Sequence, residues 1–383
     1  MPELKPELKE TKLYKKVFGA VMGGAIGDAM GGPLECWHYK FIREYHNGRV
    51  EDLIDYNDRP TKLGKYSVGG ACAWNTKAGT YTDDTAFALT VARAIIRKGG
   101  RIDCDDYADA WMTDFDPART VLSTQNSYNK LVCTKLPPRN LGIGNIDDNS
   151  SPMAIGPIGV INAGNPAQAA LDAYDVSSLY HDGYARDAAS IIAAAVAEAM
   201  KSDATVDSVR EATLKYLPGR KWSGMYKPLI NALKMADEAK DTEEFTAMFY
   251  EKMLFDFNMR DPKKLPFGFN LIPEVTSLTC DPREAVPVAI GTFYLSKGNF
   301  REPVIASANF GRDCDSSGSM AGYIAGAFNG VDAIPRKWVH TSQKANHETD
   351  FVQIATDLTE ALLKEKKKHE TIAKEIGDLE AFK

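Results

Sequence analysis

The sequence lacks any apolar run that approaches the ~20 residues a membrane-spanning helix needs, so a protein that crosses a bilayer is not expected. Its six cysteines form no C-x-x-C pair; they are Cys36, Cys72, Cys104, Cys133, Cys280 and Cys314. The first ten residues, MPELKPELKE, contain no apolar core of the kind that a secretion signal has. Together these absences favour a reduced, cytoplasmic protein.

A concentration of basic residues is also missing. The formal net charge is −6, and no dense basic stripe is present, so nucleic acid is not an expected partner. The richest lysine run, KEKKK from Lys364 to Lys368, is interrupted by Glu365. We interpret this run as the solvated face of a helix.

Strict alternation of apolar and polar residues is scarce, and helical periodicity dominates instead. The sequence therefore predicts an all-α fold, a compact single-domain orthogonal helical bundle. Six segments have the clearest helical pattern: 13–30, 84–97, 187–200, 284–295, 316–329 and 347–367.

The chain shows no repeat of fixed period and no low-complexity linker. We therefore predict an N-terminal tail over 1–12, one domain over 13–330, and a C-terminal helical extension over 331–383 that packs on or beside the body. Two stretches, 31–80 and 133–159, are rich in glycine or polar residues and are predicted to be long connections. Connections of this length inside a compact domain are usually functional.

Two acidic clusters stand where loops become predicted helices. The first is TDDT, residues 82–85, and the second is DCDS, residues 313–316. Acidic and hydroxyl side chains at these positions are typical helix N-caps, and acids there also favour the positive end of the helix dipole. Metal binding explains the same pattern, and the spacing alone favours neither interpretation.

If the four carboxylates meet, a charge of −4 has to be neutralised, and two divalent cations would do this. Oxygen ligands suit magnesium, manganese or calcium rather than zinc. An EF-hand loop starting at Asp313 is excluded, because Ile324 stands where that loop needs a bidentate glutamate.

The segment GAIGDAMGGPLE, residues 24–35, contributes two further acids. Asp28 lies in an apolar helix, where we expect it to bind neighbouring backbone amides. Glu35 follows Pro33 on a loop and is a candidate general acid or base. A solvated surface carboxylate is the alternative for Glu35.

Five motifs in order resemble the ADP-ribosylglycohydrolase family, from about Val17 to Gly330. They are the GDAxGxPxE segment, TDDT, a glycine- and asparagine-containing loop that ends in methionine, a later histidine, and GxDxDS followed by AGxxAGAxNG. The resemblance implies an all-α fold around a central di-metal site that holds two divalent cations, Mg²⁺ or Mn²⁺. The metal ligands it implies are Thr82, Asp83, Asp84, Asp313, Asp315 and Ser316.

The resemblance also implies roles for residues around the metals. Glu35 and Asp315 are the expected catalytic residues. Substrate binding is expected from Asn149, Ser150, Ser151 and Met153, in the loop that holds phosphates and ribose, and from His181.

The chain departs from the family pattern at three places. Arg312 stands where the family has glycine; it either pairs with an acid or binds an anionic part of the substrate, and we favour the second. Ala154 replaces the arginine that follows the family's methionine, and Tyr180 replaces a threonine. Ordinary packing is the favoured role for the aromatic residues Trp37, Tyr39, Tyr66 and Trp74.

The resemblance, together with the acidic clusters, implies a divalent-metal-dependent hydrolase that cleaves an N- or O-glycosidic ribosyl bond. The expected substrate is a small-molecule or protein-linked ADP-ribosyl conjugate. The alternatives are hydrolysis of a free riboside or nucleotide, a non-catalytic ADP-ribose-binding protein, and two capped helices without a site.

Overall fold

The computed structural model describes residues 6–56, 77–120, 122–256 and 280–380. Within these ranges the chain forms helices and no strand, so the all-α prediction is confirmed. The α-helices are α1 (Pro6–Lys9), α2 (Lys12–Gly31), α3 (Tyr39–Tyr45), α4 (Asp83–Lys98), α5 (Cys104–Asp114), α6 (Leu122–Cys133), α7 (Ser150–Ala154), α8 (Gly156–Ile161), α9 (Pro166–Val176), α10 (Tyr184–Ala199), α11 (Val206–Lys215), α12 (Tyr226–Glu238), α13 (Thr242–Asp256), α14 (Pro282–Leu295), α15 (Arg301–Phe310), α16 (Cys314–Asn329), α17 (Arg336–Ala345) and α18 (Phe351–Glu380).

The centre of the fold is an antiparallel pair of buried helices, α2 and α16, whose backbones touch. Glycine recurs every fourth residue along the shared face, and Gly19 meets Gly326, Gly23 meets Gly322, and Gly27 meets Gly318. A Cβ atom at any of these positions would overlap the backbone of the other helix. Because residues four apart lie on one side of a helix, this spacing produces a continuous flat face.

The direction of this pair determines where the loops meet. The C-terminal end of α2 lies beside the N-terminal end of α16, since Gly31 packs against the backbone of Cys314 and Asp315. The segment that carries Glu35 therefore begins next to the second acidic cluster.

A buried lysine joins the opposite end of the same pair to a third helix. Lys16 is 6% exposed, and its Nζ donates to the carbonyl oxygens of Ala199, at 2.6 Å, and of Ala327 and Phe328, at 2.9 Å each. These carbonyls end α10 and α16, where backbone acceptors have no partner within their own helix. One cation thus caps the negative ends of two helix dipoles.

The two predicted connections contain helices that the sequence analysis did not identify. The prediction of long connections was wrong where α3 lies within 31–80, and where α7 and the first part of α8 lie within 133–159. Each of these helices has seven residues or fewer, which is too short to show a periodic apolar face. Pro157 nevertheless stands near the start of α8, where proline suits a helix.

The C-terminal region packs on the body over the first part of α18. Phe351, Ala355, Leu358 and Leu362 belong to the same hydrophobic core as α2 and α16. The helix continues to Glu380, well beyond the predicted end at residue 367. The domain boundary at residue 330 stays a prediction. In the described part of the chain, no helix is both long and apolar enough to span a membrane.

Candidate functional site

The loop that presents Glu35 is paired through its backbone to the loop that precedes Asp313. The amide of Cys36 donates to the carbonyl of Arg312 at 2.6 Å, and the amide of Arg312 donates to the carbonyl of Trp37 at 2.8 Å. Cys36 and Arg312 both have positive φ angles, 67° and 59°. Positive φ angles are unfavourable for residues other than glycine. The surrounding fold thus holds both loops in a strained conformation beside two acidic residues.

Three carboxylates from these loops and from the first turn of α16 meet in one place. Glu35, Asp313 and Asp315 are buried, and one oxygen of each lies within 4.8 Å of the others. Burial and repulsion from neighbouring carboxylates raise the pKa of Asp313 and of Asp315 well above the ordinary value. A cation at this place would remove that repulsion.

The first acidic cluster faces the same place. Asp83 is 7% exposed and Asp84 is 2% exposed. Burial, followed by the charges of Asp315, Asp28 and Asp83, raises the pKa of Asp84 well above its ordinary value. Oδ1 of Asp84 is buried and has no hydrogen-bond partner among the described residues. The structure therefore brings the acids of two helix starts together, although they are separated by more than 200 residues in the chain.

Helix capping accounts for part of the first cluster and not for the second. Oγ1 of Thr82 accepts from the amide of Asp84 at 3.3 Å, as an N-cap does. Asp313 is the N-cap residue of α16 but makes no capping hydrogen bond. Its carboxylate instead accepts from Asn149, so capping does not explain why an acid stands there.

Asp28 holds the first cluster in position. Its carboxylate accepts from the amides of Thr82 and Thr85, each at 3.0 Å, and from the hydroxyl of Thr85 at 2.5 Å. Burial raises the pKa of Asp28 to about 7. The expected role of Asp28, binding neighbouring backbone amides, is confirmed.

The predicted substrate loop reaches the second acidic cluster through two contacts. Nδ2 of Asn149 donates to Oδ2 of Asp313 at 2.6 Å, and the hydroxyl of Ser316 lies 3.8 Å from Sδ of Met153. Oδ1 of Asn149 is buried and has no hydrogen-bond partner within the described ranges. That oxygen is available to a ligand.

His181 lies in a buried chain of hydrogen bonds that the sequence analysis did not foresee. Nδ1 of His181 is 2.6 Å from the hydroxyl of Ser151, and its Nε2 is 3.0 Å from Oδ1 of Asp148. Asp148 also accepts from the amide and hydroxyl of Ser123 and from the amide of Ser150. Burial opposes ionisation of Asp148, but its contacts with His181 and Ser150 lower its pKa below the ordinary value.

These hydrogen bonds determine which ring nitrogen of His181 carries the proton. The ionised carboxylate of Asp148 only accepts, so Nε2 of a neutral His181 donates to it at 3.0 Å and Nδ1 accepts from Ser151. The backbone amide of Asp148 also points at Nε2, but at the longer distance of 3.4 Å, so the carboxylate contact determines the tautomer. Because the Ser151 hydroxyl donates its hydrogen to Nδ1, its oxygen can still accept a hydrogen bond from another group. Asp148 follows another aspartate in the sequence, and that pair gave no signal of a histidine partner 33 residues away.

The donor set agrees with hard divalent cations. Carboxylate, hydroxyl and amide oxygens surround the buried acids, and oxygen donors are preferred by Mg²⁺ and Mn²⁺. The acceptor oxygens of Asp84 and Asn149, which have no partner in the described part of the chain, fit the same interpretation.

A family model described as ADP-ribosylglycohydrolase matches residues 9–370. The chain belongs to the ADP-ribosylglycohydrolase family. The match extends beyond Gly330, so it includes most of the predicted C-terminal extension. Members of this family typically depend on divalent metals, and the buried acidic residues are consistent with that property.

Two further similarities were found. A curated relative, the uncharacterized protein YegU of Escherichia coli (strain K12), is 26% identical over 340 residues, which is 86% of this chain and 91% of that protein. A solved structure titled ADP-ribosylglycohydrolase-related protein complex matches with a TM-score of 0.58 and 20% identity, over 92% of this chain and 99% of that chain. The structural similarity shows the fold.

Arg312, the departure from the family pattern, forms a buried ion pair. Its Nε contacts Oε1 of Glu284 on α14, and both side chains are almost fully buried. This is the pairing with an acid that the sequence analysis considered the less favoured alternative. Substrate binding by Arg312 stays a prediction.

Two of the four predicted aromatic residues lie in the described ranges, and both pack against other rings. Trp37 is 5.0 Å from the ring of Phe41, and Tyr39 is 4.6 Å from that of Tyr250. Tyr66 and Trp74 lie outside the described residues.

Proposed function

We propose that this protein is a divalent-metal-dependent hydrolase that cleaves the glycosidic bond of an ADP-ribosyl conjugate, either small or protein-linked. The observation that supports this most is the convergence of Glu35, Asp313 and Asp315 at one buried place that Asp84 also faces. This concentration of negative charge is unfavourable without a cation.

Thr82, Asp83, Asp84, Asp313, Asp315 and Ser316 would hold two divalent cations. When bound, such cations polarise ribose hydroxyls and lower the pKa of a water molecule. Asp28 and Asn149 orient these ligands, since each makes a direct hydrogen bond to a residue of one cluster. Residues that orient ligands in this way strongly affect metal affinity.

Glu35 has the position of a proton-transfer residue. It is 9% exposed, and its carboxylate lies beside Asp313 and Asp315. From this position it would transfer a proton to the leaving group or from the attacking water. Cleavage at the anomeric carbon passes through a state with oxocarbenium character, which nearby carboxylates stabilise.

Recognition of the phosphates and ribose is assigned to Asn149, Ser150, Ser151, Met153 and His181. Ser151 and His181 are both buried and joined by a 2.6 Å hydrogen bond. Their positions are therefore fixed before a substrate arrives, which reduces the entropy lost on binding.

The proposal is tested with purified protein and added Mg²⁺, by measuring the release of ADP-ribose from ADP-ribosyl-arginine and the hydrolysis of a simple N-riboside. We expect release from the ADP-ribosyl conjugate, and its loss in EDTA. Hydrolysis of the riboside alone would identify the protein as a hydrolase of free ribosides rather than of ADP-ribosyl conjugates. Tight binding of ADP-ribose without release from any conjugate would instead identify a non-catalytic reader.

A further inference from the structure

The far part of α18 extends away from the body with an apolar stripe that is exposed to solvent. Every residue from Lys366 to Glu380 is exposed. Ile372, Ile376 and Leu379 are 54%, 54% and 86% exposed. This segment is about 21 Å long at the usual helical rise.

The stripe continues the spacing with which α18 packs on the body. Leu358, Leu362 and Glu365 are buried on the body, and His369, Ile372, Ile376 and Leu379 follow at alternating intervals of three and four residues. This is the a/d pattern of a coiled coil. One helix therefore has a single a/d seam, apolar except at Glu365 and His369, whose first part is covered and whose second part is not.

We propose that the exposed seam binds the same seam of a second copy of this chain, in an antiparallel two-helix coiled coil. The proposal does not depend on the catalytic function. Pairing Ile372 with Ile376 of the second copy places Leu379 against His369 of the second copy. Every exposed apolar residue of the seam is then covered.

The charges beside the seam favour this orientation. Lys366 and Glu380 both occupy e positions, and antiparallel pairing brings each against the opposite charge on the second copy. Antiparallel pairing also sets Glu375 against Glu375 of the second copy once, whereas parallel pairing sets Glu375 against Glu380 of the second copy twice and forms neither Lys366–Glu380 pair. Acidic residues placed side by side in this way weaken association.

The placement of the folded body of each copy also favours the antiparallel orientation. α18 leaves the body after Glu365, which is 7% exposed. In a parallel pair both bodies would stand at the same end of two adjacent helices. In an antiparallel pair they stand at opposite ends, and the helices can approach to the usual interaxial distance of about 8–10 Å.

The test is sedimentation velocity of the full-length protein over a range of concentrations, with Ile376→Asp and the matched control Leu171→Asp. Leu171 is 64% exposed on α9, so both variants place an acid at an exposed apolar position. We expect a concentration-dependent dimer, a dissociation constant raised at least about tenfold by Ile376→Asp, and a change of less than about twofold for Leu171→Asp. Circular dichroism checks that both variants stay folded.

Charge exchange tests the orientation. Lys366→Glu and Glu380→Lys should each weaken the dimer, and the double variant should restore it, because the pairs are then reversed on both copies. A wild-type protein that remains monomeric at every concentration overturns the proposal. This holds also if α18 of that monomer binds phosphatidylserine vesicles. A dimer that Ile376→Asp leaves unchanged also overturns it, and failure of the double variant to restore association overturns the antiparallel orientation.

Discussion

Asn149 donates a 2.6 Å hydrogen bond from its side-chain amide to Oδ2 of Asp313, which links the substrate loop to the second acidic cluster. The side-chain oxygen of Asn149, Oδ1, is buried and has no partner among the described residues. Asn149 is thus positioned to orient a metal ligand and to contact whatever binds beside it.

Replacement of Asn149 by alanine should weaken metal binding without unfolding the protein. We expect the affinity for Mn²⁺ to fall about 10–100-fold, as is typical when a residue that orients a ligand is removed. Isothermal titration calorimetry measures this, with the exposed Asn140→Ala as control. Equal affinities in both variants would show that the contact with Asp313 does not orient a ligand.

Asp148→Asn should impair recognition of the substrate rather than metal binding. The amide group of asparagine can donate to Nε2, which favours the tautomer whose Nδ1 carries the proton and changes the hydrogen bond to Ser151. We expect binding of ADP-ribose to weaken about tenfold, the effect of one hydrogen bond, while Mn²⁺ affinity changes little. The exposed neighbour Asp182→Asn is the control, and a loss of Mn²⁺ affinity in Asp148→Asn would argue against a role limited to His181.

The sequence analysis identified five of the longer helices closely, for a physical reason, but did not identify others such as α12 and α13. The segments that became α2, α4, α10, α14 and α16 each have apolar or small residues on enough faces to require burial in a helix. Their ends were within three residues of the observed ends. The short helices α3 and α7 were missed because they form through contacts with distant segments rather than through a local pattern.

The same limit applies to the candidate site. Motif order identified the acidic clusters, because each lies at a recognisable helix start. Asp148 and Glu284 were not identified, since their partners His181 and Arg312 lie 33 and 28 residues away and nothing local indicates the pairing. The two ion or hydrogen-bond pairs can be recognised only in the folded structure, where each acid lies beside its basic partner.

The glycine face between α2 and α16 should tolerate no side chain. Gly322→Ala places a Cβ atom against the carbonyl of Gly23, which lies on the backbone and has little freedom to move. We expect a loss of at least about 1–3 kcal/mol in the free energy of unfolding, from overpacking. Urea denaturation measures it. Gly377→Ala is the matched control, because a Cβ there meets nothing within 4 Å and alanine should favour the helix.

His38 should make the folded state sensitive to mild acid. Burial, followed by the charges of Lys40 and Arg312, lowers the pKa of His38 from 6.5 to about 4. Between these values the unfolded chain binds the proton more tightly, so stability is lost as the pH falls from about 6.5 towards 4.

Urea denaturation in EDTA at pH 7 and pH 5 tests this, with His38→Asn for comparison. Asparagine retains an acceptor for the amide of Lys40, which His38 caps at 3.1 Å. The loss between the two pH values should be smaller in the variant by about 1–2 kcal/mol. Identical losses in the two proteins would assign the acid sensitivity to other groups.

The central claim is that two distant acidic helix starts form one cation site that supports hydrolysis. Its most direct test is calorimetric titration of Mn²⁺ into the wild-type protein, Asp84→Asn and Asp315→Asn, one variant from each cluster. We predict that two ions bind to the wild type and that each substitution weakens binding at least about tenfold, with helicity retained. Absence of Mn²⁺ binding to the wild type, or unchanged binding in both variants, would contradict the account.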